Sequence, residues 1–410
     1  MIIVLITINK SLTLMTKAFI IITHVAIETI DNGFLPKIYI RSLPVVIVTD
    51  HIDQHRHLKK RYPGLKLLSA EVFNPLAVIQ KLKAHSITPA AVFCNSDHLQ
   101  SAAAIVSDYF NVFGKDWKAA LICKNKVLMR DTLRQLEMTK VQHLAVSDIH
   151  QLNDQLDNLV FPLIIKPAQG VASIDVRKVN DKSKLVESAK NIWQKNPERL
   201  LIIESYLDGT VMSIETIGSK GEISVLGGFI TDVATPYFIE YGASWCQFPQ
   251  EIIVSLLSQL KALGVGFGAC HSEFVIFDDH VELIEVNYRS VGDYKEFMLD
   301  QIFNHRYFDA IIDLYLYGHY QLPKPEMINA RIDYIVNQSK TGKVLAHPAS
   351  YSLDQSGSHQ SLKLFKRTGD RLEIQHSNKD YLGALYRIQS DEITPITSDS
   401  LQNQWQVAPC

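Results

Sequence analysis

The chain has 410 residues, 47% hydrophobic and 20% charged, an ordinary globular composition at a length that favours two to three domains. Lysine plus arginine (41) nearly balances aspartate plus glutamate (43), so nucleic-acid binding has no electrostatic support. The five cysteines, Cys94, Cys123, Cys246, Cys270 and Cys410, lack C-x-x-C spacing, which speaks against a zinc site or disulfide framework and for a reducing, cytoplasmic setting.

Met1 to Ile8 is apolar but broken by Asn9-Lys10, too short to span a bilayer and without the flanks of a signal peptide. Residues 1–16 are therefore expected to be an extension or an extra strand, with Met15 as an alternative start, and no membrane partner is expected. From Ala18 the chain alternates strand and helix. Ala18–Thr23, Pro44–Asp50 and Ala90–Asn95 read as parallel strands, with amphipathic stretches at Leu76–Ala84 and Leu99–Phe110, giving a small α/β domain over residues 17–114. His51, His55 and His57 could mimic a metal cluster, but beside Arg56, Lys59, Lys60 and Arg61 they read as a polar surface run.

Residues 115–197 hold two lysines of interest. Lys126 opens a helical stretch whose Leu128, Leu133 and Leu136 supply an apolar side; in isolation it is a surface lysine. Phe161–Pro167 is an apolar strand ending in Lys166-Pro167, followed by the small residues Ala168 to Ser173 and a return strand over Ile174–Val179. Such a strand–loop–strand unit can fold over a triphosphate like a flap, although a plain hairpin fits that segment equally well.

Over residues 198–320, Leu200–Gly209 is a buried-type strand that delivers Glu204 and then turns through Ser205, Tyr206 and Leu207; it can hinge an adenine pocket. Ile252, Ile253, Leu256, Leu257 and Leu260 give a helix its apolar stripe. Gly264-Val265-Gly266-Phe267-Gly268-Ala269 matches a loose G-x-G-x-x-A but follows a helix and precedes a strand, the reverse of the dinucleotide-binding order; a glycine helix cap explains it better. No G-x-x-x-x-G-K-[ST] loop occurs. His271 either orients substrate or is satisfied in the core. After Pro323-Lys324-Pro325, short β-type runs at Leu362–Phe365, Leu372–Gln375 and Ala384–Ile388 suggest a small β-rich lid over 321–410.

The most informative stretch is Glu273–Phe277 with Val281–Arg289, where charged residues interrupt apolar β-patterned sequence. Glu285 and Asn287 share one strand face, and Arg289 follows at the same spacing, where a guanidinium can grip a phosphate or carboxylate bidentately. With Asp278-Asp279-His280 as a three-residue loop, Phe277 pairs with Val281 and Glu273 faces Glu285, a repulsive pairing unless a cation sits between. Mg²⁺, which prefers hard oxygen ligands and is commonly shared with substrate phosphates, fits that position. A two-residue loop would put the carboxylates on opposite faces.

In their order along the chain these residues resemble the ATP-grasp superfamily, over about residues 17 to 390. The resemblance assigns ATP contacts to Lys126, Lys166, Gly170, Ser173, Glu204, Ser205 and Leu207, metal ligation to Glu273, Glu285 and Asn287, and the reacting phosphoryl or carboxylate group to Arg289 together with Lys166. It implies an α/β fold (α+β in the catalytic part) of ATP-grasp architecture: a Rossmann-like parallel N-terminal domain (17–114), a two-part ATP-binding domain (115–197 with the phosphate loop, 198–320 with the metal site) and a C-terminal lid. The implied cofactors are ATP and Mg²⁺, or Mn²⁺ in its place. Phe238–Gly242, Ala269–Glu273, Gly369–Arg371 and Tyr381–Gly383 look most like the amino-acid and peptide ligases, which join a small carboxylate to an amine through an acyl phosphate; a homodimer is compatible. Two positions depart from the pattern. Asp175 stands where the family has Gly and would add negative charge near phosphates unless it points away. Val211 stands where the family has a ribose-binding Glu, for which Glu215 is a candidate substitute. These departures keep open a nucleotide-binding protein without ligase turnover; a nicotinamide oxidoreductase is disfavoured by the glycine order.

Overall fold

Val45 to Thr49 are buried without interruption, the mark of a strand covered on both faces. This strand belongs to the first of two compact units into which the chain divides, Met1–Gly114 and Lys115–Cys410. The structure, a computed structural model, describes residues 16–235, 237–277, 280–325, 328–355 and 357–408; the expected extension before residue 16 and the turn Asp278-Asp279 lie outside them.

In the first unit, β1 (Thr16–Ile22), β2 (Val45–Thr49), β3 (Lys66–Ser69) and β4 (Ile87–Phe93) form a sheet in the order β3-β2-β1-β4, parallel throughout. β3 escapes sequence reading because it offers only two buried residues, Leu67 and Leu68. Helix Pro75–Ala84 starts at Asn74, whose side chain accepts from the Leu76 and Ala77 N–H groups, as an N-cap does. It packs Val78, Ile79 and Leu82 against Ile20, Ile22, Val46 and Val48. The histidine run is not uniformly a surface feature. His55 shares the inward side of its segment with Leu58 and is fully buried, and burial lowers its pKa. His51 is exposed, near His24, whose Nδ1 lies 2.8 Å from Asp50 Oδ2.

The second unit begins with an antiparallel sheet of β5 (His143–Val146), β6 (Leu163–Pro167), β7 (Arg177–Val179) and β8 (Leu201–Ser205), ordered β5-β8-β6-β7. Helix Lys182–Lys195 covers it with Leu185, Ala189 and Ile192. The return strand expected from Ile174 is shorter and starts at Arg177. Ala172, Ser173 and Asp175 have φ of 56°, 53° and 60°, a left-handed backbone that interrupts any strand.

A nine-stranded sheet carries the rest. It contains β9 (Val211–Ser219), β10 (Glu222–Ala234), β11 (Ile239–Cys246), β12 (Gly268–Phe277), β13 (His280–Asn287), β14 (Asn329–Ile335), β16 (Tyr351–Gln355), β17 (Ser358–Leu364) and β19 (Gly383–Gln389). The order is β13-β12-β9-β10-β11-β14-β19-β17-β16, so strands from beyond residue 320 continue the sheet that holds Glu273 and Glu285. A further sheet is built from β15 (Gly342–Ala346), β18 (Arg371–Leu372) and β20 (Gln406–Ala408). Helix Gln250–Ala262 lays Leu256 and Leu260 on Phe274, Leu283 and Val286. It ends at Gly264, φ +83°, with Gly264 N–H donating to Lys261 O and Val265 N–H to Leu260 O. This paired closure is a Schellman cap and accounts for the glycines there without a dinucleotide. Among the described residues no helix is long and apolar enough to cross a membrane.

Candidate active site

The hairpin β12–β13 has a two-residue connection, since Phe277 pairs with His280 and not Val281. That register alone would separate the carboxylates. A bulge intervenes: Phe274 pairs with Leu283, Ile284 is passed over, and Glu273 faces Glu285. One extra residue in one strand shifts every later side chain to the other face, so the expected pairing arises by a different route. His271 then faces Asn287, while Leu283 and Val286 turn into the core.

Asn125 caps the helix Lys126–Gln135, its Oδ1 accepting from the Val127 and Leu128 N–H groups. The buried side of this helix is not the expected leucine stripe. Leu128 and Leu136 are exposed, whereas Lys126, Met129, Arg130 and Leu133 are buried. Lys126 and Arg130, one turn apart, both reach inward: Lys126 Nζ lies 3.1 Å from Glu285 Oε1, and Arg130 Nε lies 2.9 Å from Glu204 Oε2. Glu204 also pairs with Lys166. Burial alone would raise the Glu204 pKa, but Arg130 and Lys166 outweigh it and hold the carboxyl at about 2. Burial lowers the pKa of Lys166 against the pull of Glu204, and Lys126 and Arg130 add to the lowering. Three cations crowd a site with room for an anion.

Beneath Glu273, His271 Nδ1–H donates to Glu215 Oε1 at 2.6 Å, and its Nε2 lies 3.5 Å from Glu273 Oε1. Burial pulls its pKa down, yet Glu215 and Glu273 carry it up to about 9. The imidazolium is thus a fixed positive charge behind the carboxylates. Glu215 is buried against His271 and the Ser213 hydroxyl, so it is no stand-in for a ribose ligand; Val211 lines the cleft instead. Asp175 does point away. Its carboxylate pairs with Lys195 Nζ and Arg199 Nη1, each at 3.1 Å, anchoring the loop rather than repelling phosphates.

The residues to which the resemblance assigns ATP, metal or the reacting group line one cleft of about 260 Å³ within the second unit: Lys126, Lys166, Gly170, Ser173, Glu204, Ser205, Leu207, Glu273, Glu285, Asn287 and Arg289. Ile164, Val176, Tyr206, Leu207 and Ile284 supply its apolar part. Arg130, Asp293 and Lys295, which sequence reasoning missed, join them, as does Glu240, named there only within the run Phe238–Gly242. Arg130 was hidden by the leucines; the signal was a second cation four residues after Lys126. Glu240 and Lys295 form a buried pair, Lys295 Nζ to Glu240 Oε1 2.5 Å, and burial raises the Glu240 pKa despite Lys295. Lys295 starts the helix Lys295–Ile302, and no spacing in the sequence links it to Glu240.

A family model described as the ATP-grasp domain matches residues 159–296, the segment that contributes β6 through β13 and most of the charged residues of the cleft. By that match this segment is an ATP-grasp domain. Among curated relatives, the chain is 31% identical over 139 residues to a D-alanine–D-alanine ligase of Flavobacterium johnsoniae, covering 31% of this chain and 42% of that protein. It is 23% identical over 195 residues to the carbamoyl phosphate synthase large chain of Thermoanaerobacter pseudethanolicus, covering 45% and 18%. The match thus spans less than half the length of either relative. Among solved structures, the L-amino acid ligase from Bacillus licheniformis shares the fold at a TM-score of 0.76 and 16% identity, covering 97% of this chain and 99% of that one. The biotin carboxylase from Campylobacter jejuni follows at 0.69 and 14%, covering 96% and 92%.

Proposed function

We propose that the protein is an ATP-dependent carboxylate–amine ligase, a carbon–nitrogen ligase that joins an amino acid or other small carboxylic acid to an amine through an acyl phosphate. The observation that carries this reading is the convergence on one cleft of the cations Lys126, Arg130 and Lys166 and the oxygen-bearing Glu273, Glu285 and Asn287, with Lys126 Nζ 3.1 Å from Glu285 Oε1. Cations suit nucleotide phosphates, and two carboxylates in cross-strand register with an amide oxygen suit a hard cation. When bound on Glu273, Glu285 and Asn287, Mg²⁺ or Mn²⁺ would supply positive charge to phosphate oxygens. As domain roles, 17–114 would precede the nucleotide domain, 115–197 hold the phosphate loop and 198–320 the metal ligands; 321–410, expected as a separate lid, instead adds β14, β16, β17 and β19 to the sheet of Glu273 and Glu285.

In the reaction, a carboxylate oxygen attacks the γ-phosphorus, the bond to ADP breaks, and ADP leaves with its electron pair. The amine then attacks the acyl carbon, phosphate leaves, and the amine loses a proton. Lys126 and Lys166 hold the nucleotide phosphates, and Arg289, at the rim after Asn287, meets the incoming carboxylate; their charges let two anions approach. The Glu240–Lys295 pair offers opposite charges in the same cleft, which suits a substrate that carries both an ammonium and a carboxylate. The loop around Gly170 excludes water from the acyl phosphate. Val211 in the cleft favours a second reading, nucleotide binding without turnover. ADP release measured with Mg·ATP against a panel of carboxylates and amines tests the choice: release that requires one member of each class supports the ligase, and none with any pair leaves the binding module.

A further inference from the structure

The small-residue loop does not hang free over the cleft. Asn378, in the irregular segment between β18 and β19, donates its backbone N–H to Ala172 O at 2.9 Å and its Nδ2 to Ser173 Oγ at 3.2 Å. Its Oδ1 accepts the Glu240 backbone N–H at 2.8 Å. Because a backbone N–H can only donate, that contact fixes which end of the amide faces Glu240. The Tyr381 hydroxyl lies 2.9 Å from Glu240 O and 3.1 Å from Asn378 Oδ1, and the Tyr381 ring stacks on Tyr334 of β14 at 4.5 Å. One side chain therefore joins the phosphate loop to the strand that carries Glu240, on a support fixed in the large sheet.

Two further observations give that junction weight. Ala172 and Ser173, the residues Asn378 touches, both hold positive φ, a conformation L-residues rarely adopt unless their surroundings impose it. The other arm of the flap is tied to the same rim: the Arg177 guanidinium sits 4.8 Å from the Tyr237 ring centroid, and Tyr237 packs on His376 at 4.7 Å. Glu240 in turn is bound to Lys295. A shift of the loop thus cannot leave the Glu240–Lys295 end of the cleft untouched unless the Asn378 bonds break.

We propose that Asn378 is a positioning residue that carries closure of the phosphate loop to the Glu240–Lys295 end of the cleft, so that bound nucleotide orders the place where the second substrate charge is read. This rests on the nucleotide assignment of the preceding section. Its consequence is an order of events, nucleotide before productive carboxylate. Coupling of this kind is a difference in free energy between two sites, and a few hydrogen bonds suffice for several-fold effects.

The test is amide hydrogen exchange of the whole chain with and without Mg²⁺ and the non-hydrolysable analogue AMP-PNP, with binding confirmed by calorimetry. In the wild type, the analogue should slow exchange in residues 170–176 and also, about three- to tenfold, in residues 239–241 and 376–381. Asn378→Ala should keep the first effect and lose most of the second, since only the backbone N–H to Ala172 O and the Arg177–Tyr237 contact then join loop and rim. Ser173→Ala removes the bond to Asn378 Nδ2 from the loop side; it should also weaken the remote protection, and combined with Asn378→Ala it should lose no more than Asn378→Ala alone. Remote protection that persists at the wild-type level in these variants, or protection confined to the loop in the wild type, overturns the inference while leaving the nucleotide site intact. No calorimetric binding of AMP-PNP to the wild type overturns the nucleotide assignment itself, and this inference with it.

Discussion

Glu204→Gln isolates the electrostatic centre of the cleft. The substitution keeps the shape of a buried side chain but strips the negative charge from between Arg130 and Lys166, leaving two buried cations without a counter-ion. Breaking a buried pair costs about 3–5 kcal/mol. Linkage gives the same order: a carboxyl lowered from 4.5 to about 2 corresponds to about 3 kcal/mol. Because the folded pKa is the depressed one, this stability is present above pH 4.5 and is lost as pH falls from there toward 2. The four tryptophans, Trp117, Trp193, Trp245 and Trp405, all lie in the second unit, so urea unfolding followed by tryptophan fluorescence reports that unit alone. The variant should be several kcal/mol less stable at pH 6, and the gap should shrink toward pH 3. Equal stabilities at pH 6, or a gap independent of pH, would refute the account of Glu204 as an ionised partner of both cations.

Lys166→Met should weaken ATP binding in a calorimetric titration, while the nucleotide-free melting temperature changes little, because Arg130 continues to compensate Glu204 and the cost of burying the ammonium disappears; unchanged affinity would remove Lys166 from the phosphate site. Asp175→Asn keeps a residue that tolerates positive φ but abolishes the pairs with Lys195 and Arg199. It should leave ATP affinity equal or weaker and make the loop easier to cleave by protease, whereas tighter binding at low ionic strength would show that Asp175 acts on the phosphates after all.

The parallel sheet of the first unit was legible because its strands are buried on both faces, and Val45–Thr49 and Ile87–Phe93 fall close to the expected runs. The charged residues of β12 and β13 were legible because charge in an apolar strand needs a partner. Their register was legible only in outcome. The bulge at Ile284 depends on how β13 fits against β12, and no residue type in Val281–Asn287 announces it. The buried side of the helix Lys126–Gln135 was misjudged because leucine is the default sign of a core, yet here two cations turn inward to meet Glu204 and Glu285, which the chain supplies about 75 and 160 residues later, a separation no local pattern conveys. The direction of Asp175 stayed open for the same reason: Lys195 and Arg199 are near only once the helix Lys182–Lys195 is folded. Glu240 and Lys295 meet across the cleft from a strand and a helix start, and burial on both sides left no periodic trace.

The measurement that bears most directly on the central claim is steady-state ADP release across a Mg²⁺ series for the wild type and for Glu285→Gln, run with a mixture of amino acids as carboxylate and amine. Glu285 faces Glu273 and pairs with Lys126, so the amide keeps the size of the side chain and removes a charge that the metal and the lysine both use. The account predicts substrate-dependent ADP release that rises with Mg²⁺ in the wild type and is lost in the variant, with the fold intact by its tryptophan fluorescence. A variant that matches the wild type at every Mg²⁺ concentration would contradict it.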